Sequence, residues 1–590
     1  MSASHDRRLF LKYLGAGFTG AVAAGAGPLG PLAEARGPMP FQRAGEIVGP
    51  AETSPGRFLS FNPIQPSTKD DLVLPAEFTY DLVAVWGDRL PGTNARFGYN
   101  ADFTAFIPIA PNGGEGLLWV NHEYLSLPAP GEIGVYPQTF PLVIGGEATI
   151  ADEMRDVGAS VLHIKQGSDY RWTIQPTPLT RRYDANSRMI ASGPALQTVG
   201  DVGGTMSNCS GCHTPWNTVL TCEENVQDYV PEPVDTAGRG TVGGRFNKNG
   251  AYYGWVVEFD PLDPAWTPIK HTLLGRFRHE NVAIRVAGGG QVVAYMGDDR
   301  TDGHVYKFVS ANRYVPGSTA NRGALLSTGR LFAAVFNADG TGEWRELTGA
   351  TPLRPNPGSS IPTIPAGATT LGQVYSDFGA IVTDAFRASN LIGATPSGRP
   401  EDVEVHPLDN SVYIAFTANA TLGANLFSNL YGEIWRLVDE GDGTGLRFTW
   451  MRWKVGGPND PLQAGRVFAA PDNLSFDKAG NMWLVTDISS VRLNGGDDRY
   501  TAFENNAMFF IPTSGPNAGR AFQFASGPCE SEMTGPSWTP DEHTMFLAVQ
   551  HPGEANGVRT GSLNAPSGSN WPGGRLNAPP RPGVVSIRPR

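Results

Sequence analysis

The sequence predicts an all-β fold, a six-bladed β-propeller with loop and short helical insertions, and three observations predict it. Six segments, beginning at Phe106, Asn217, Asn281, Asp402, Asn473 and Gly535, each hold an apolar strand. In most of them a Gly/Asp/Asn/Pro turn then leads into a second strand with a period of two. Glycine and proline number 73 and 49 of 590 residues, roughly a fifth of the chain against about 12% in average proteins, so tight turns are many. The six segments recur unevenly, every sixty to hundred and twenty residues or roughly so, which makes a degenerate repeat longer than a forty-odd-residue blade. In a propeller the first residues of each inner strand face one channel, and acidic residues scattered along the chain become neighbours. A row of β-sandwich domains is the alternative, and there the same residues only form turns.

Taken in order, residues 1–36 read as a twin-arginine export signal. Asp6-Arg7-Arg8-Leu9-Phe10-Leu11-Lys12 precedes a Gly/Ala-rich apolar run from Tyr13 to Ala26, with Ala33-Glu34-Ala35 as a cleavage candidate. That run is too short and Gly-rich for a membrane span. Nothing later supplies eighteen consecutive apolar residues, so a soluble periplasmic or secreted protein is expected. Residues 37–68 are Pro/Gly/Ser-rich and read as an extended arm, and 69–590 as a single propeller catalytic domain. Insertions at Gln227–Gly250, Pro316–Thr370 and Gly553–Pro580 are expected on the surface or over one channel mouth. Tyr375–Asn390 is the best helix candidate, with Phe378, Ile381, Val382 and Phe386 at helical spacing, and reads as core packing.

Composition narrows the function. A net charge of −12 argues against nucleic acid, whose phosphates attract basic surfaces. Four cysteines exclude a disulfide scaffold. With 40% hydrophobic residues and 13 Trp, a large core can be buried.

The chemistry concentrates between Gly204 and Asn225, GTMSNCSGCHTPWNTVLTCEEN. Cys209 and Cys212 stand at C-x-x-C spacing beside His213, which fits a zinc site, although no second close pair completes it. A disulfide among Cys209, Cys212, Cys222 and Cys529 is equally compatible with export. One thiolate beside several carboxylates instead suits iron. Glu123 in NHEY, Glu280 in RHEN and Glu401 in RPED each lie beside a strand, and on radial sheets they form a cage of hard oxygen ligands. Glu223, Glu224, Asp298, Asp299 and Glu532 are weaker additions. Strand alternation aims one of Glu223 and Glu224 inward and leaves open which. Arg399, two residues before Glu401, and Arg581 in PPRPGVVSI offer guanidinium groups that make sense near cations only if an anion lies between them.

The twin-arginine leader, NHEY, GTMSNC with TPWNTVLTCEEN, GRFRHEN, GDD followed by GHVYKFVS, RPED, EMTGPSWTPD with LAVQHPGE, and NWPGG with RPGVVSI together resemble the PhoX-type alkaline phosphatases. They stand in the family's order and span most of the chain from Phe78. The resemblance implies a six-bladed propeller that hydrolyses phosphomonoesters at two ferric ions and two or more calcium ions joined by a bridging oxo or hydroxo group, and a monomer is expected. It further implies Cys209 as the iron-bound sulfur, and Glu123, Glu280 and Glu401, with Glu224 added, as carboxylate ligands. Arg399 then contacts substrate phosphate, with Arg581 as its partner. Cys212, His213 and Cys529 are not required by the family pattern. A calcium-dependent propeller lactonase or esterase, and a non-enzymatic secreted calcium-binding propeller, are the alternatives.

Overall fold

The computed structural model describes residues 60–110, 113–125, 149–232, 236–417, 429–458, 467–494, 498–564 and 567–590. The expected export signal and the first part of the arm lie outside them. Six innermost strands, Ala101–Pro108, Asn208–His213, His279–Val286, Pro400–Val405, Pro471–Phe476 and Glu532–Trp538, pack side by side in a closed cycle, the last returning to the first. Each is the inner edge of a blade, antiparallel throughout except for the outermost pair of the second blade, where Ile190–Ser192 runs parallel to Ile269–His271. In the third and fourth blades the outermost strands Thr341–Glu346 and Arg447–Val455 pair with one another, fusing the two into a nine-stranded sheet.

Between consecutive blades lies an apolar layer, as packed sheet faces require. Trp119 and Val161 meet Val219 and Phe259; Leu220 and Val256 meet Ala294 and Met296; Val293 and Tyr295 meet Ile414 and Trp435. Tyr413 and Ile434 meet Leu484 and Phe509, Trp483 and Phe510 meet Leu547 and Val585, and Phe546 and Ala548 return to Phe106 and Leu118. The ring closes within the sixth blade, where Phe78–Val85 pairs with the C-terminal strand Gly583–Pro589, Phe78 opposite Pro589. This joint covers the edge of the C-terminal strand and makes Phe78–Val85 the outer strand of the sixth blade.

The end of the arm is bound rather than loose. Phe61 sits edge-on to Phe78, Phe510 and Phe524, and the Ile64 N–H donates to the Gln523 carbonyl at 3.0 Å. The expected helix over Tyr375–Asn390 is two short helices, Phe378–Thr383 and Ala385–Leu391. Asp384 breaks it with a non-helical backbone, and its carboxylate accepts from Tyr375 Oη at 2.7 Å and Arg387 Nε at 2.8 Å. Both helices pack into the core beside the second and third blades. Part of the expected insertion Pro316–Thr370 is instead the third blade's outer strands, Gly329–Phe336 and Thr341–Glu346. Tyr229, Val230 and Phe246 of the insertion at 227–250 are buried against Val157 and Met206. No helix among the described residues is long and apolar enough to cross a membrane.

Candidate metal centre

Five blades begin with one backbone device. Ala101 pairs with His122, Asn208 with Glu223, His279 with Asp298, Pro400 with Phe416 and Pro471 with Thr486, and the register shifts directly after each pair. Such a bulge adds one residue to the inner strand and re-aims its side chains. The first residue of each bulge is Asp102, Cys209, Glu280, Glu401 or Asp472. The residue after each second strand, namely Glu123, Glu224, Asp299, Thr417 or Asp487, donates its N–H to the carbonyl of the residue before the inner strand. These bonds reach Asn100 at 3.3 Å, Ser207 at 2.9 Å, Arg278 at 3.0 Å, Arg399 at 3.2 Å and Ala470 at 2.9 Å. Antiparallel pairing therefore puts both sets at the same end of the channel. Asn100, Ser207, Arg399 and Ala470 hold left-handed backbones at φ 48°, 53°, 52° and 47°, strain that an L-residue adopts only when its surroundings impose it. The sixth blade departs: Glu532 itself pairs with Gln550, and its bulge comes later.

The bulge also ties blade to blade. Asn281 donates to Asp402 and, at 3.0 Å, to the Val403 carbonyl. The Leu474 N–H reaches Asp402 Oδ2 at 2.8 Å, and the Gly535 N–H reaches Asn473 Oδ1 at 2.9 Å. Asn121 Nδ2 holds the Cys209 carbonyl at 2.6 Å.

The outcome is a buried acidic centre of three linked triads. Asp102, Glu123 and Cys209 offer ligand atoms within 4.8 Å of one another, as do Cys209, Glu224 and Glu280, and Glu280, Glu401 and Asp472. Cys209 belongs to the first two and Glu280 to the last two, so the triads are one constellation. Cys209 Sγ lies 3.1 Å from Glu280 Oε1, and Gln550 Nε2 bridges Asp102 at 3.1 Å and Glu123 at 3.0 Å. Burial, then repulsion among neighbouring carboxylates, holds Asp102, Glu224, Glu280 and Glu401 well above the carboxylate range. Burial pushes Glu123 up to about 7 and Asp472 up to about 6, and burial followed by the nearby acids raises the Cys209 thiol. Asp102 Oδ1 is buried without a hydrogen-bond partner. Anionic ligands crowded this closely are costly on their own, and cations between them reverse the penalty.

A family model for alkaline phosphatase PhoX matches residues 59–553. The chain belongs to the PhoX alkaline phosphatase family. It is similar to Pseudomonas fluorescens PhoX in complex with vanadate, a transition state analogue, at 29% identity and a TM-score of 0.74 over 90% of this chain and 98% of that one. A gluconolactonase from Xanthomonas campestris aligns at 8% identity and a TM-score of 0.27 over 84% of this chain and 99% of that one, too distant to bear on function. No curated protein matches. As a member of the PhoX family the chain is a phosphatase, hydrolysing phosphomonoesters, and neither the lactonase nor the non-enzymatic reading is favoured.

Against this PhoX framework the sequence-derived residues sort clearly. Glu123, Cys209, Glu224, Glu280 and Glu401 are brought together. Glu123 and Glu224 follow second strands, whereas Glu280 and Glu401 open inner ones, and antiparallel return brings a strand's last residue to the same end as its neighbour's first. Glu223 is turned away, paired with Lys270 Nζ at 2.7 Å in full burial. Asp298 is occupied by Arg300 Nε at 2.9 Å. Arg399 stands at the rim, its side chain 34% exposed; Nε and Nη2 each lie 2.7 Å from Asp299, and Nη2 is 3.0 Å from Glu401. Arg581 is held two strands out from the axis by the Trp86 carbonyl and Asp88, so no phosphate contact is assigned to it. All four cysteines are free: Cys222 packs in an interblade core and Cys529 donates to the Thr68 carbonyl at 3.2 Å. His213 is exposed, and the C-x-x-C spacing carries only Cys209 to the centre. Asp102 and Asp472 went unread; their signal is the triplet that opens inner strands, NAD and APD, which matches SNC, RHE and RPE in the other blades.

Proposed function

We propose that the acidic centre holds a polynuclear cluster of iron and calcium, two ferric ions and two or more calcium ions, at which phosphomonoesters are hydrolysed. The observation that carries this reading is the chain of three triads joined through Cys209 and Glu280. Buried carboxylate oxygens match calcium and ferric iron, and a single sulfur among them fits iron better than calcium. Glu123, Cys209, Glu224, Glu280 and Glu401, joined by Asp102 and Asp472, are the proposed ligands. Bound there, the ions supply Lewis-acid polarisation of the phosphoryl group and charge neutralisation in the transition state.

The chain's own groups do the rest. Asp299 grips Arg399 through Nε and Nη2, which fixes the guanidinium plane and leaves Nη1 outside those bonds as the proposed donor to a phosphoryl oxygen. A planar fork held in this way recognises a tetrahedral anion without losing side-chain freedom on binding. The walls around the ligands are buried strand, which excludes bulk water and strengthens each charge interaction. The Pseudomonas fluorescens protein binds vanadate, a transition state analogue, and the end of this channel that carries the acidic centre is the proposed phosphate site. Twin-arginine export, a periplasmic or secreted location and a monomeric state complete the proposal. Metal analysis of the exported protein, with phosphate release from an aryl phosphate, tests it. Iron together with calcium and released phosphate support it; calcium alone with lactone opening would defeat it.

A further inference from the structure

Resting on the phosphatase reading above, we propose that Arg278 is a second phosphate-binding guanidinium, and that with Arg399 it sets a preference for doubly charged monoesters over singly charged diesters. The internal repeat of the propeller points to it. Arg278 and Arg399 occupy the same place in consecutive blades: each stands two residues before a glutamate of the centre, in RHE and RPE. The carbonyl of each accepts the N–H of the residue that closes the second strand, from Asp299 at 3.0 Å and from Thr417 at 3.2 Å. Equivalent positions on neighbouring radial sheets lie side by side at one end of the channel.

The two arginines differ in what they hold. Arg399 is gripped by Asp299 and Glu401. Around Arg278, the other arginines are also satisfied: Arg276 bonds the Tyr253 carbonyl at 2.7 Å and lies 3.4 Å from Glu232, and Arg300 pairs with Asp298 at 2.9 Å. Arg278 has its backbone fixed on both sides, its N–H donating to Asp298 Oδ1 at 3.1 Å. Yet its Nε is buried with no hydrogen-bond partner, and the guanidinium forms no ion pair among the described residues, beside acids that could have taken it. A half-buried guanidinium whose Nε is shut off from water without a partner is costly unless an anion completes it. Phosphate bound at the adjacent centre is that anion. A monoester dianion offers charged oxygens to both guanidinium groups, whereas a diester carries one negative charge and a second ester group.

The test uses the metal-loaded, full-length protein and two variants, Arg278→Gln and Arg278→Lys. The readouts are metal content, KM for p-nitrophenyl phosphate, the inhibition constants of inorganic phosphate and vanadate, and turnover of bis(p-nitrophenyl) phosphate. For Arg278→Gln the expected result is wild-type metal content, a rise of about ten- to a hundredfold in KM and both inhibition constants, and a clearly smaller loss on the diester. Arg278→Lys recovers part of the monoester affinity. Unchanged phosphate affinity, equal losses on monoester and diester, or loss of metal in both variants would overturn the assignment. Wild-type protein that binds metal but releases no phosphate would sink the phosphatase reading and this one with it.

Discussion

Glu223 and Glu224 are neighbours with opposite duties, and substitution separates them. Glu224→Gln removes a centre carboxylate and is expected to lower metal content and activity together. Glu223→Gln leaves Lys270 buried without its carboxylate, which should cost about 3–5 kcal/mol of stability while metal content per folded molecule is kept; denaturation and metal analysis distinguish the two. Arg399→Ala should retain metal and weaken inhibition by phosphate about ten- to a hundredfold, because its partners are Asp299 and Glu401 and the carboxylate triads do not include it. His304 gives a pH signature away from the centre. Fully buried between the Thr395 carbonyl and Asn390, it is pushed by burial down to about 4, against about 6.5 in an unfolded chain. The unfolded chain takes up that proton first, so stability present above pH 6.5 is lost as pH falls towards 4, by up to about 3 kcal/mol. In His304→Gln the slope of unfolding free energy against pH over this window should flatten. At this scale the sequence was readable where charge was conspicuous: Glu123, Glu280 and Glu401 each stand in a short polar motif beside an apolar strand. Asp102 and Asp472 resembled turn formers, and the contrast of Glu223 with Glu224 depended on Lys270, distant in the chain.

The strand-opening bulge is the element that converts sequence into a site. Its first residue enters the centre and its second reaches the adjacent blade, as Glu280 and Asn281 do in succession. Asn281→Ala removes the bonds to Asp402 and to the Val403 carbonyl, and should destabilise the protein by about 1–3 kcal/mol, measured by denaturant unfolding of the purified variant. Periodicity located the strand pairs, since an apolar alternation survives whatever the register. Bulges were not legible, because one extra residue changes no composition and reveals itself only through the pairing partner. The interrupted helix at Asp384 escaped for a similar reason: its breaker is a carboxylate satisfied by Tyr375 and Arg387, whereas the apolar spacing on either side continues unbroken.

At the scale of the molecule, a closed ring lets residues hundreds of positions apart share one axis. The six repeated segments made that architecture readable, and the ordered motifs made the family readable. The closure itself, Phe78–Val85 against Gly583–Pro589, was only half visible: the apolar run after Arg581 in PPRPGVVSI suits a closing strand, whereas nothing near it in the chain names its partner. Ring closure and metal binding should therefore be coupled: the carboxylates repel one another when bare, and the ions hold opposite blades together. Phosphate release from an aryl phosphate by the natively loaded protein, followed through exhaustive chelation and then readdition of iron and calcium, probes the central claim directly. Activity should vanish as the ions leave and return only with them. Full turnover by protein stripped of all metal would contradict it.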